Sequence, residues 1–308
     1  DNAIMDSLKV IENKLDEPLS DPSILPTFLL SKFAKKHVKV ALSGDGADEL
    51  FCGYAPFKSI NYLKSLSFIP KNIGNMISLI SESIPTKDAY MSYHFLLKHV
   101  SRGFGWPSYL QVFRWMSPLS DKNITTLINK DFQSDYNSKS FWNNLLYNPK
   151  NNKLKLTDTL SKLFYDFYLP NDILTKVDRA SMYNGLEVRS PFLSKSIIDF
   201  SSQLPNKYKI NHNNTKLILR ELSKKMLPNN ISSRKKHGFA IPLAKMIRGP
   251  LKEKIQDTLL SKTYPVSQYF NKPELEKLLN NHFQGIDNRK PIWAIYMLYK
   301  NTERLSKL

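Results

Sequence analysis

Apolar residues recur at helical spacing from the start of the chain. Ile4, Leu8, Ile11 and Leu15 stand at i, i+4, i+7 and i+11, so their side chains would share one face of a helix. Residues 16–23 contain two prolines, and a proline disfavours helix in the residue before it. The pattern therefore predicts an amphipathic helix followed by a loop.

The next segment predicts the beginning of an α/β sheet. A second helix is expected over about 24–37, and it leads into the β-branched run 38–42, which is typical of a buried strand. A glycine-containing turn and another helical stretch follow. Helix, strand, turn and helix in this order indicate a parallel α/β sheet, whose ligands bind at the carboxyl ends of the strands.

Beyond about residue 56 the strand signals fade and helical patterns dominate. Helices are predicted over six stretches, namely 157–167, 171–185, 197–204, 216–227, 273–285 and 292–305. Thr157 and Asp158 are cap candidates for the first of these helices, and Asn171 and Asp172 for the second. The expected architecture is an α/β edge followed by a mostly helical body.

Composition places the chain among globular proteins. Its 308 residues are 41% hydrophobic and 12% aromatic, which is ample for a large buried core. No apolar run approaches the roughly 18 residues that span a bilayer, so we expect no membrane association. Cys52 is the single cysteine, which excludes an internal disulfide and suits a reducing cytoplasm.

The net positive charge of the chain does not alter the expectation of a globular protein. The net charge of +18 arises from 45 basic and 27 acidic residues, as in nucleic-acid binders or in proteins with pockets for phosphates and carboxylates. The lysines, however, are scattered among many asparagines, and the longest basic run is 233–237. Scattered charge is usually a solvated surface, so a nucleic-acid partner is not expected.

The turn after the predicted strand carries the first candidate chemistry. Gly44 and Gly46 allow a tight turn whose N–H groups point outward, an anion nest at the start of a helix. Asp45, Asp48 and Glu49 add three carboxylates, which suit phosphate chemistry if a divalent metal bridges them. Taken alone, the turn is better explained as a surface turn in which Asp acts as a cap.

A second group of charged residues lies in the helical body. If 171–185 is helical, Asp172, Lys176 and Arg179 share one face, which would hold anionic substrate oxygens or form a solvated ion-pair ladder. Glu187 and Arg189 are flanked by apolar residues, and we expect them to be buried and paired in a structural role.

A third candidate is Lys236, which stands just before Gly238 in the basic run 233–237. A lysine beside a glycine-bearing loop can be directed at a phosphate as a mobile point charge. Nuclear localisation or nonspecific binding is the alternative for any short basic run.

Taken in order, these segments resemble the signature of glutamine-dependent asparagine synthetases, and the resemblance extends over about 16–250. The segments that carry it are SGDGADELF at 43–51, KVDRASM at 176–182, LEVRSPFL at 186–193 and KKHGF at 235–239. The resemblance implies that 1–308 is a synthetase domain of the adenine-nucleotide α-hydrolase-like (ATP-pyrophosphatase) fold. It would combine a parallel sheet edge with a mostly helical C-terminal body.

The resemblance also implies a two-step ligation that requires ATP and Mg²⁺. The side-chain carboxylate of aspartate attacks the α-phosphorus of ATP, which gives an aspartyl-adenylate and pyrophosphate. Ammonia, delivered from glutamine by a glutaminase domain, then displaces AMP and gives asparagine. By the same match, Ser43, Gly44 and Gly46 would contact the nucleotide, and Asp48 would bind a magnesium ion on the pyrophosphate.

Three further roles follow from the same resemblance. Asp45 stands where the family has an acidic residue, often Glu, that manages the proton of ammonia. Lys236 matches the lysine that neutralises charge on the phosphates, and Arg179 matches an arginine that supports the substrate pocket. The implied full-length form is compatible with a homodimer.

The chain departs from the family pattern at three points. The Ser-Gly-Gly-x-Asp-Ser phosphate-binding loop and the glutaminase domain do not occur in these 308 residues, and Cys52 stands where Gly is usual before Gly53 and Tyr54. Because the loop and the glutaminase belong upstream, we expect Asp1 to lie inside the synthetase domain and this chain alone to be inactive.

Other functions remain open at this level. A β-lactam-forming synthetase shares the fold and needs no ammonia, and related proteins would amidate a sugar or another cell-surface carboxylate. An inactive remnant of the fold and a basic nucleic-acid-binding protein are the alternatives that involve no catalysis.

Overall fold

Helices dominate the computed structural model of the protein, which describes residues 2–82, 99–135, 154–232, 234, 238, 239 and 241–307. The chain divides into two units, and each is described by itself. Unit 1 consists of Asp1–Pro26, Leu66–Leu145 and Ala240–Leu308, and unit 2 of Thr27–Ser65 and Leu146–Phe239. The mostly helical character that the sequence predicts is confirmed.

Unit 1 is mostly helical in its described part. Its α-helices are α1 (Asn2–Lys14), α5 (Lys71–Glu82), α6 (Ser108–Met116), α7 (Asp121–Leu127), α13 (Leu243–Arg248), α14 (Lys252–Leu260), α15 (Lys272–Phe283) and α16 (Arg289–Leu305). Short 3₁₀ segments lie at Lys130–Asp135 and Pro265–Tyr269. The first and last of these helices were predicted from the pattern of apolar residues, and α15 was predicted from Pro273 and Gly285, which bracket it.

Helix α16 forms the centre of unit 1. Trp293, Tyr296 and Tyr299 recur at helical spacing on one face and are fully buried. This face packs against α1 and α14. Removing this aromatic surface from water stabilises the unit, because hydrophobic stabilisation scales with the buried apolar area.

A buried ion pair joins the helices around α16. Glu12 on α1 is only 8% exposed, and Lys254 donates to both of its carboxylate oxygens at 2.8 and 2.6 Å. The hydroxyl of Tyr296 donates to the same carboxylate. Such bonds compensate the desolvation of Glu12, so loss of either donor would leave a buried charge poorly satisfied.

His282 at the end of α15 is a buried histidine that is held neutral. Its Nδ1 accepts a hydrogen bond from the backbone N–H of Asn288 at 3.1 Å, which requires an unprotonated nitrogen. Burial, together with the charge of Arg248, lowers the pKa of His282 below its ordinary value of 6.5. The folded protein therefore resists protonation of this ring.

We expect the free energy of unfolding to decrease as pH falls below about 6.5, because the unfolded chain then binds a proton that folded His282 accepts only at lower pH. The contribution is fully present above that pH, and its slope approaches about 1.4 kcal/mol per pH unit. Urea denaturation across this range measures the slope. His282→Gln should flatten it, while His37→Gln, at an exposed position, should not. An unchanged slope in His282→Gln would contradict the assignment.

Unit 2 contains the sheet. Its helices are α2 (Ile24–Ala34, which begins in unit 1), α3 (Ala47–Leu50), α4 (Ile60–Ser67, which ends in unit 1), α8 (Leu156–Leu163), α9 (Thr175–Met182), α10 (Lys195–Gln203), α11 (Leu217–Met226) and α12 (Asn229–Ser232). Short 3₁₀ segments lie at Ala55–Ser59, Pro191–Leu193 and Asn206–Tyr208. Strands β1 (Val40–Leu42) and β2 (Glu187–Arg189) pair in parallel, with Ala41 opposite Val188.

The sheet differs from the prediction in burial and in its second strand. The 38–42 run was expected to be a buried strand, but Val40 is 41% and Leu42 74% exposed. This prediction was wrong because, among the described residues, the sheet has only two strands and covers β1 along one edge. Strand β2 was not predicted, since three residues are too short for a clear alternation.

A π-helical segment replaces the predicted break between two helices. Residues Phe164–Leu174 form this wider helix, which contains Pro170 and joins α8 to α9 without interruption. Proline lacks the N–H that an α-helix requires, and a wider turn accommodates its ring. Asn171 donates to the carbonyl of Phe167 at 2.7 Å, so its predicted role as a cap was wrong.

The predicted cap at 157–158 was also wrong. Helix α8 begins at Leu156, so Thr157 and Asp158 lie inside its first turn, and the N-cap residue is Lys155. Asp158 instead accepts a hydrogen bond from the Asn206 amide at 2.9 Å.

Within the described ranges, no helix combines the length and the apolar character needed to cross a lipid bilayer.

Candidate functional site

The predicted phosphate-binding turn lies at the carboxyl end of β1, where a parallel sheet presents its ligands. The backbone N–H of Ser43 donates to the carbonyl of Arg189 at 2.8 Å, which extends the pairing of the two strands. The hydroxyls of Ser43 and Ser190 are 3.0 Å apart and hydrogen-bonded. The tertiary structure thus brings segments 43–51 and 186–193 together.

The two glycines of the turn serve different purposes. Gly46 has φ 91°, and a Cβ there would lie 2.4 Å from Leu193 Cδ2, so both the backbone conformation and the packing require glycine. Gly44 is exposed, and a Cβ there would meet nothing within 4 Å. The backbone at Gly44 is therefore open to close approach by a ligand.

The helix that follows the turn is shorter than the sequence suggested. Helix α3 contains four residues, Ala47–Leu50, and the N–H of Ala47 is already bound to the carbonyl of Gly44 at 3.3 Å. A helix macrodipole requires several aligned turns, so one turn adds little to anion binding. A helix does begin after the turn, as predicted, and the binding of an anion at its positive end stays a prediction.

Asp45 lies at the centre of this turn and is partly buried. Its Oδ2 atom is buried and has no hydrogen-bond partner within the part of the chain that the structure describes. A buried carboxylate oxygen ordinarily has a partner, since desolvation without one is costly. The Oδ2 atom of Asp45 is therefore available to accept a hydrogen bond from a donor outside the described residues.

Asp48 forms an ion pair with Lys216, which was not predicted as a site residue. Lys216 Nζ lies 3.0 Å from Asp48 Oδ1, and each side chain is 24% exposed. Among the described residues, no three His, Cys, Asp or Glu side chains converge in an arrangement that could hold a metal ion. Asp48 is therefore not part of a complete protein cage among the described residues, and its role as a magnesium ligand stays a prediction.

Glu49 does not act with the other two carboxylates. It is 1% exposed, and its Oε1 accepts a hydrogen bond from the hydroxyl of Tyr54. Burial raises the pKa of Glu49 above its ordinary value of 4.5, although the Tyr54 hydrogen bond opposes this. The Tyr54 ring stacks on Phe164 with 4.7 Å between centroids, so Glu49 belongs to the core and the expected trio of carboxylates is reduced to a pair.

The backbone conformation at Cys52 explains why glycine is usual at this position. It is one of the described non-glycine residues with positive φ, at 56°, a conformation that glycine adopts without strain. Its side chain is fully buried, and burial raises the pKa of the thiol to about 11. The thiol therefore stays protonated and poorly nucleophilic, which indicates a packing role.

The other predicted site residues have mixed outcomes. Arg179 Nη1 binds its neighbour Asp178 at 2.8 Å, and its link to a substrate pocket stays a prediction. Glu187 and Arg189 are paired at 2.7 Å as expected, but their side chains are 53% and 67% exposed, so the prediction of burial was wrong. In a three-residue strand at a sheet edge, little packs over these side chains. Lys236 lies outside the described residues.

Lys216 and Ser190 complete the described surroundings of the turn and were not predicted as site residues. The sequence predicts Lys216 as the first residue of the helix 216–227, and Ser190 occurs in the motif 186–193 without a role of its own. Lys216 has φ 54°, so it is the residue before α11 and not part of it. No periodicity signals such a residue, because its role depends on the spatial proximity of Asp48.

The chain is similar to known proteins over most of its length. The profile of the asparagine synthase family matches residues 1–301. The chain is 29% identical over 300 residues to glutamine-hydrolysing asparagine synthetase 1 of Bacillus subtilis (strain 168), a match that covers 94% of this chain and 44% of the relative. It is 28% identical over 292 residues to a Mycobacterium tuberculosis (strain H37Rv) protein provisionally named as a glutamine-hydrolysing asparagine synthetase, with 92% and 42% covered.

The chain thus spans less than half the length of these curated relatives. The profile match, in contrast, extends over nearly all of the 308 residues and includes the turn, both strands and the helical body. A match of this extent cannot arise from one short motif. The chain belongs to the asparagine synthase family.

Proposed function

We propose that this chain forms the C-terminal part of an ATP-dependent ligase that converts aspartate to asparagine. The observation that carries the proposal is the turn at 43–46, where open backbone at Gly44 and an unsatisfied oxygen of Asp45 lie at the carboxyl end of a parallel strand. Family membership supports the same activity. The sheet would be the edge of a larger adenine-nucleotide α-hydrolase-like sheet.

In the proposed reaction, the turn binds the nucleotide. Ser43 and the backbone of Gly44 and Gly46 contact ATP while the aspartate side chain attacks its α-phosphorus, which gives an aspartyl-adenylate and pyrophosphate. Asp45 then accepts a proton from the attacking ammonia as AMP leaves. Arg179 supports the substrate pocket in this scheme.

The carboxylate of Asp48 is the kind of oxygen ligand that the proposed magnesium site requires. Mg²⁺ is usually held by one or two carboxylates together with substrate phosphates, and Asp48 is a partly exposed carboxylate on the same turn as the proposed nucleotide contacts. When bound, the ion would neutralise charge on the pyrophosphate. A magnesium ion that arrives with the nucleotide is consistent with the single carboxylate provided here.

The proposal includes partners beyond the chain. Ammonia would come from glutamine through an N-terminal glutaminase domain, which is consistent with the description of the relatives as glutamine-hydrolysing. A homodimer of the full-length form and a cytoplasmic location are part of the same proposal. A protonated thiol at Cys52 is compatible with a reducing compartment.

The test of this function compares two proteins. The first is the 308-residue chain, and the second, called the extended protein, carries the upstream half of the synthetase domain in addition. We expect the extended protein to release AMP and asparagine from aspartate, ATP and ammonia. The 308-residue chain should do neither, because it contains no Ser-Gly-Gly-x-Asp-Ser run to hold the leaving pyrophosphate.

The outcome separates the competing functions. Robust turnover by the 308-residue chain would contradict the need for an upstream loop. AMP release by the extended protein with a sugar acid or a β-amino acid, but not with aspartate, would favour the amidotransferase or β-lactam alternative. If the extended protein binds ATP and releases no AMP with any acceptor, the ligase proposal fails.

Asp48→Asn in the extended protein should raise the magnesium concentration required for half-maximal activity by at least about tenfold. A neutral amide cannot replace the charge of a carboxylate bound to a divalent ion. The measurement is AMP release as a function of Mg²⁺ concentration at saturating ATP. Asp166→Asn is the matched control, because Asp166 pairs with Lys162 at 2.6 Å on an exposed helical surface. An unchanged magnesium requirement in Asp48→Asn would contradict the assignment.

A further inference from the structure

A small cavity in unit 1 lies beside the N-terminus of helix α16. Its volume is about 30 Å³, and a water-sized group needs about 10–15 Å³. The cavity therefore has room for about two such groups, which suits the two oxygens of a carboxylate and not the four oxygens of a phosphate. The ionisable residues that line it are His99, Arg102, Asp287, Arg289 and Lys290.

The charges on the wall of this cavity are mainly positive. Asp287 is the one carboxylate among the described residues that line it. Arg289 already binds this carboxylate through two nitrogens, with Nε at 2.9 Å from Oδ1 and Nη2 at 2.6 Å from Oδ2. Arg102 and Lys290 add further positive charge to the wall. The cavity therefore attracts an anion.

Arg102 is held in place at the wall of the cavity. It is 7% exposed, and its Nη1 donates to the carbonyl of Ser117 at 2.9 Å. A longer contact of 3.4 Å joins the same nitrogen to the carbonyl of Pro118, which also lines the cavity. A guanidinium held in this way loses little freedom when an anion binds, since its planar donors are already oriented.

The ammonium of Lys290 is poorly compensated by the charges around it. Burial, followed by the positive charge of Arg102, lowers the pKa of Lys290 to about 8. Arg289 adds to this shift, and the carboxylates of Asp287 and Asp21 oppose it. An anion placed beside a buried ammonium favours the charged form. A carboxylate in the cavity would therefore bind protonated Lys290 and raise its pKa.

The first residues of α16 add to the positive potential in the cavity. Residues 288–291 line the cavity, so it lies at the N-terminus of a helix of 17 residues. Peptide dipoles that are aligned over several turns place a partial positive charge at this end. The helix end, Arg102 and Lys290 thus favour the same kind of ligand, a negatively charged one.

A polar groove adjoins the cavity. Its volume is about 440 Å³, and it is lined by residues of α7 and α15. The groove shares Asn123, Leu278 and Asn288 with the wall of the cavity. Thr126 and Asn281 also line it, so hydroxyl and amide groups are available for hydrogen bonds. A molecule with its carboxylate in the cavity would therefore have space for a polar remainder.

We propose that unit 1 binds a small organic acid in this cavity and groove, with the carboxylate between Arg102 and Lys290 and the polar remainder along the groove. The residues involved differ from those of the turn at 43–46, which belongs to unit 2. The inference goes beyond the proposed function and is independent of it. A ligand that binds the folded state stabilises it, so the acid would also raise the unfolding temperature.

The first experiment titrates the extended protein with 4-hydroxybutyrate by calorimetry at pH 7, with no nucleotide present. We expect saturable binding of this acid. The neutral analogue 4-hydroxybutyramide should bind at least about tenfold more weakly, because the charge-assisted hydrogen bonds are lost. Inorganic phosphate should also bind more weakly, since it is too large for the cavity. Absence of saturable binding by the acid, or equal binding of the amide or of phosphate, overturns the inference.

Two substitutions of Lys290 test the role of its charge. Lys290→Met removes a partly buried charge and keeps an unbranched stem, so the fold should persist. Binding of 4-hydroxybutyrate should weaken by about tenfold in this variant. Lys290→Arg keeps a positive charge and should remain within about threefold of wild type.

The matched control is Lys307→Met, just beyond the other end of α16. The side chain of Lys307 is 70% exposed and pairs with Glu303 at 2.8 Å. This variant should bind the acid as wild type does. Unchanged affinity in Lys290→Met, or an equal loss in Lys307→Met, would contradict the proposed site.

The pH dependence of binding is a second test, and it needs no substitution. Affinity for 4-hydroxybutyrate should fall several-fold between about pH 7 and pH 9.5, because Lys290 loses its proton near pH 8 and the acid binds the protonated form. Guanidinium groups and carboxylates do not titrate in this range. Lys290→Arg should bind with constant affinity across it. No fall in wild type, or an equal fall in Lys290→Arg that another group such as His99 would cause, refutes the assignment to Lys290.

Discussion

Asp45→Asn in the extended protein is expected to slow amide formation by about 10²–10⁴ and to leave aspartate-dependent ATP–pyrophosphate exchange within a few-fold of wild type. The exchange reaction reports adenylate formation, which the proposal assigns to other residues. Amide formation requires a proton acceptor for ammonia. The buried Oδ2 of Asp45 has no hydrogen-bond partner among the described residues, so it is available to accept that proton.

The control for this prediction is Asp45→Glu. Because the family often has glutamate at the matching position, this variant keeps the carboxylate and should retain most of the amide-forming rate. The two reactions are measured side by side, as asparagine release and as exchange of labelled pyrophosphate. Equal losses of both in Asp45→Asn would argue that Asp45 supports adenylation or the structure of the turn.

Lys236→Ala should reduce turnover by about 10²–10³ and affect nucleotide affinity much less. Negative charge builds on the pyrophosphate as it leaves, and a fixed ammonium stabilises that state more than the bound substrate. Steady-state rates at saturating ATP, together with ATP binding by calorimetry, separate the two quantities.

Lys235→Ala is the matched control, since it removes the same charge one residue earlier in the basic run. It should remain close to wild type. A wild-type rate in Lys236→Ala combined with an inactive Lys235→Ala would assign the role to the neighbouring lysine. Loss of ATP affinity equal to the loss of rate would indicate binding of the ground state instead.

The spacing of apolar residues along the chain was sufficient to predict the helices that have one apolar face. Ile4, Leu8, Ile11 and Leu15 predicted α1, and the region 292–305 predicted most of α16. Such periodicity reflects burial of one side of a helix, and it survives in any tertiary context that covers that side. The order of the motifs along the chain also predicted the family, and the match of the family profile over nearly the whole chain confirms it.

Features that depend on partners distant in sequence were decided by the tertiary structure. Strand β2 exists because β1 lies beside it, and the exposure of Leu42 follows from the number of strands that cover it. The separation of Glu49 from Asp45 and Asp48 depends on Tyr54 and its aromatic neighbours. A list of carboxylates in sequence cannot show which of them points into the core.

The ion pair between Asp48 and Lys216, at the site itself, likewise depends on the tertiary structure and not on the local sequence. The sequence identified Asp48 as a candidate metal ligand because of the motif around it, and the candidate role of Lys236 came from its own motif. Lys216 carries no comparable signal, since it stands 168 positions from Asp48 and its importance is a matter of distance. Charge interactions fall off within several ångströms in space, whatever the separation along the chain, so only the folded structure could join these two residues.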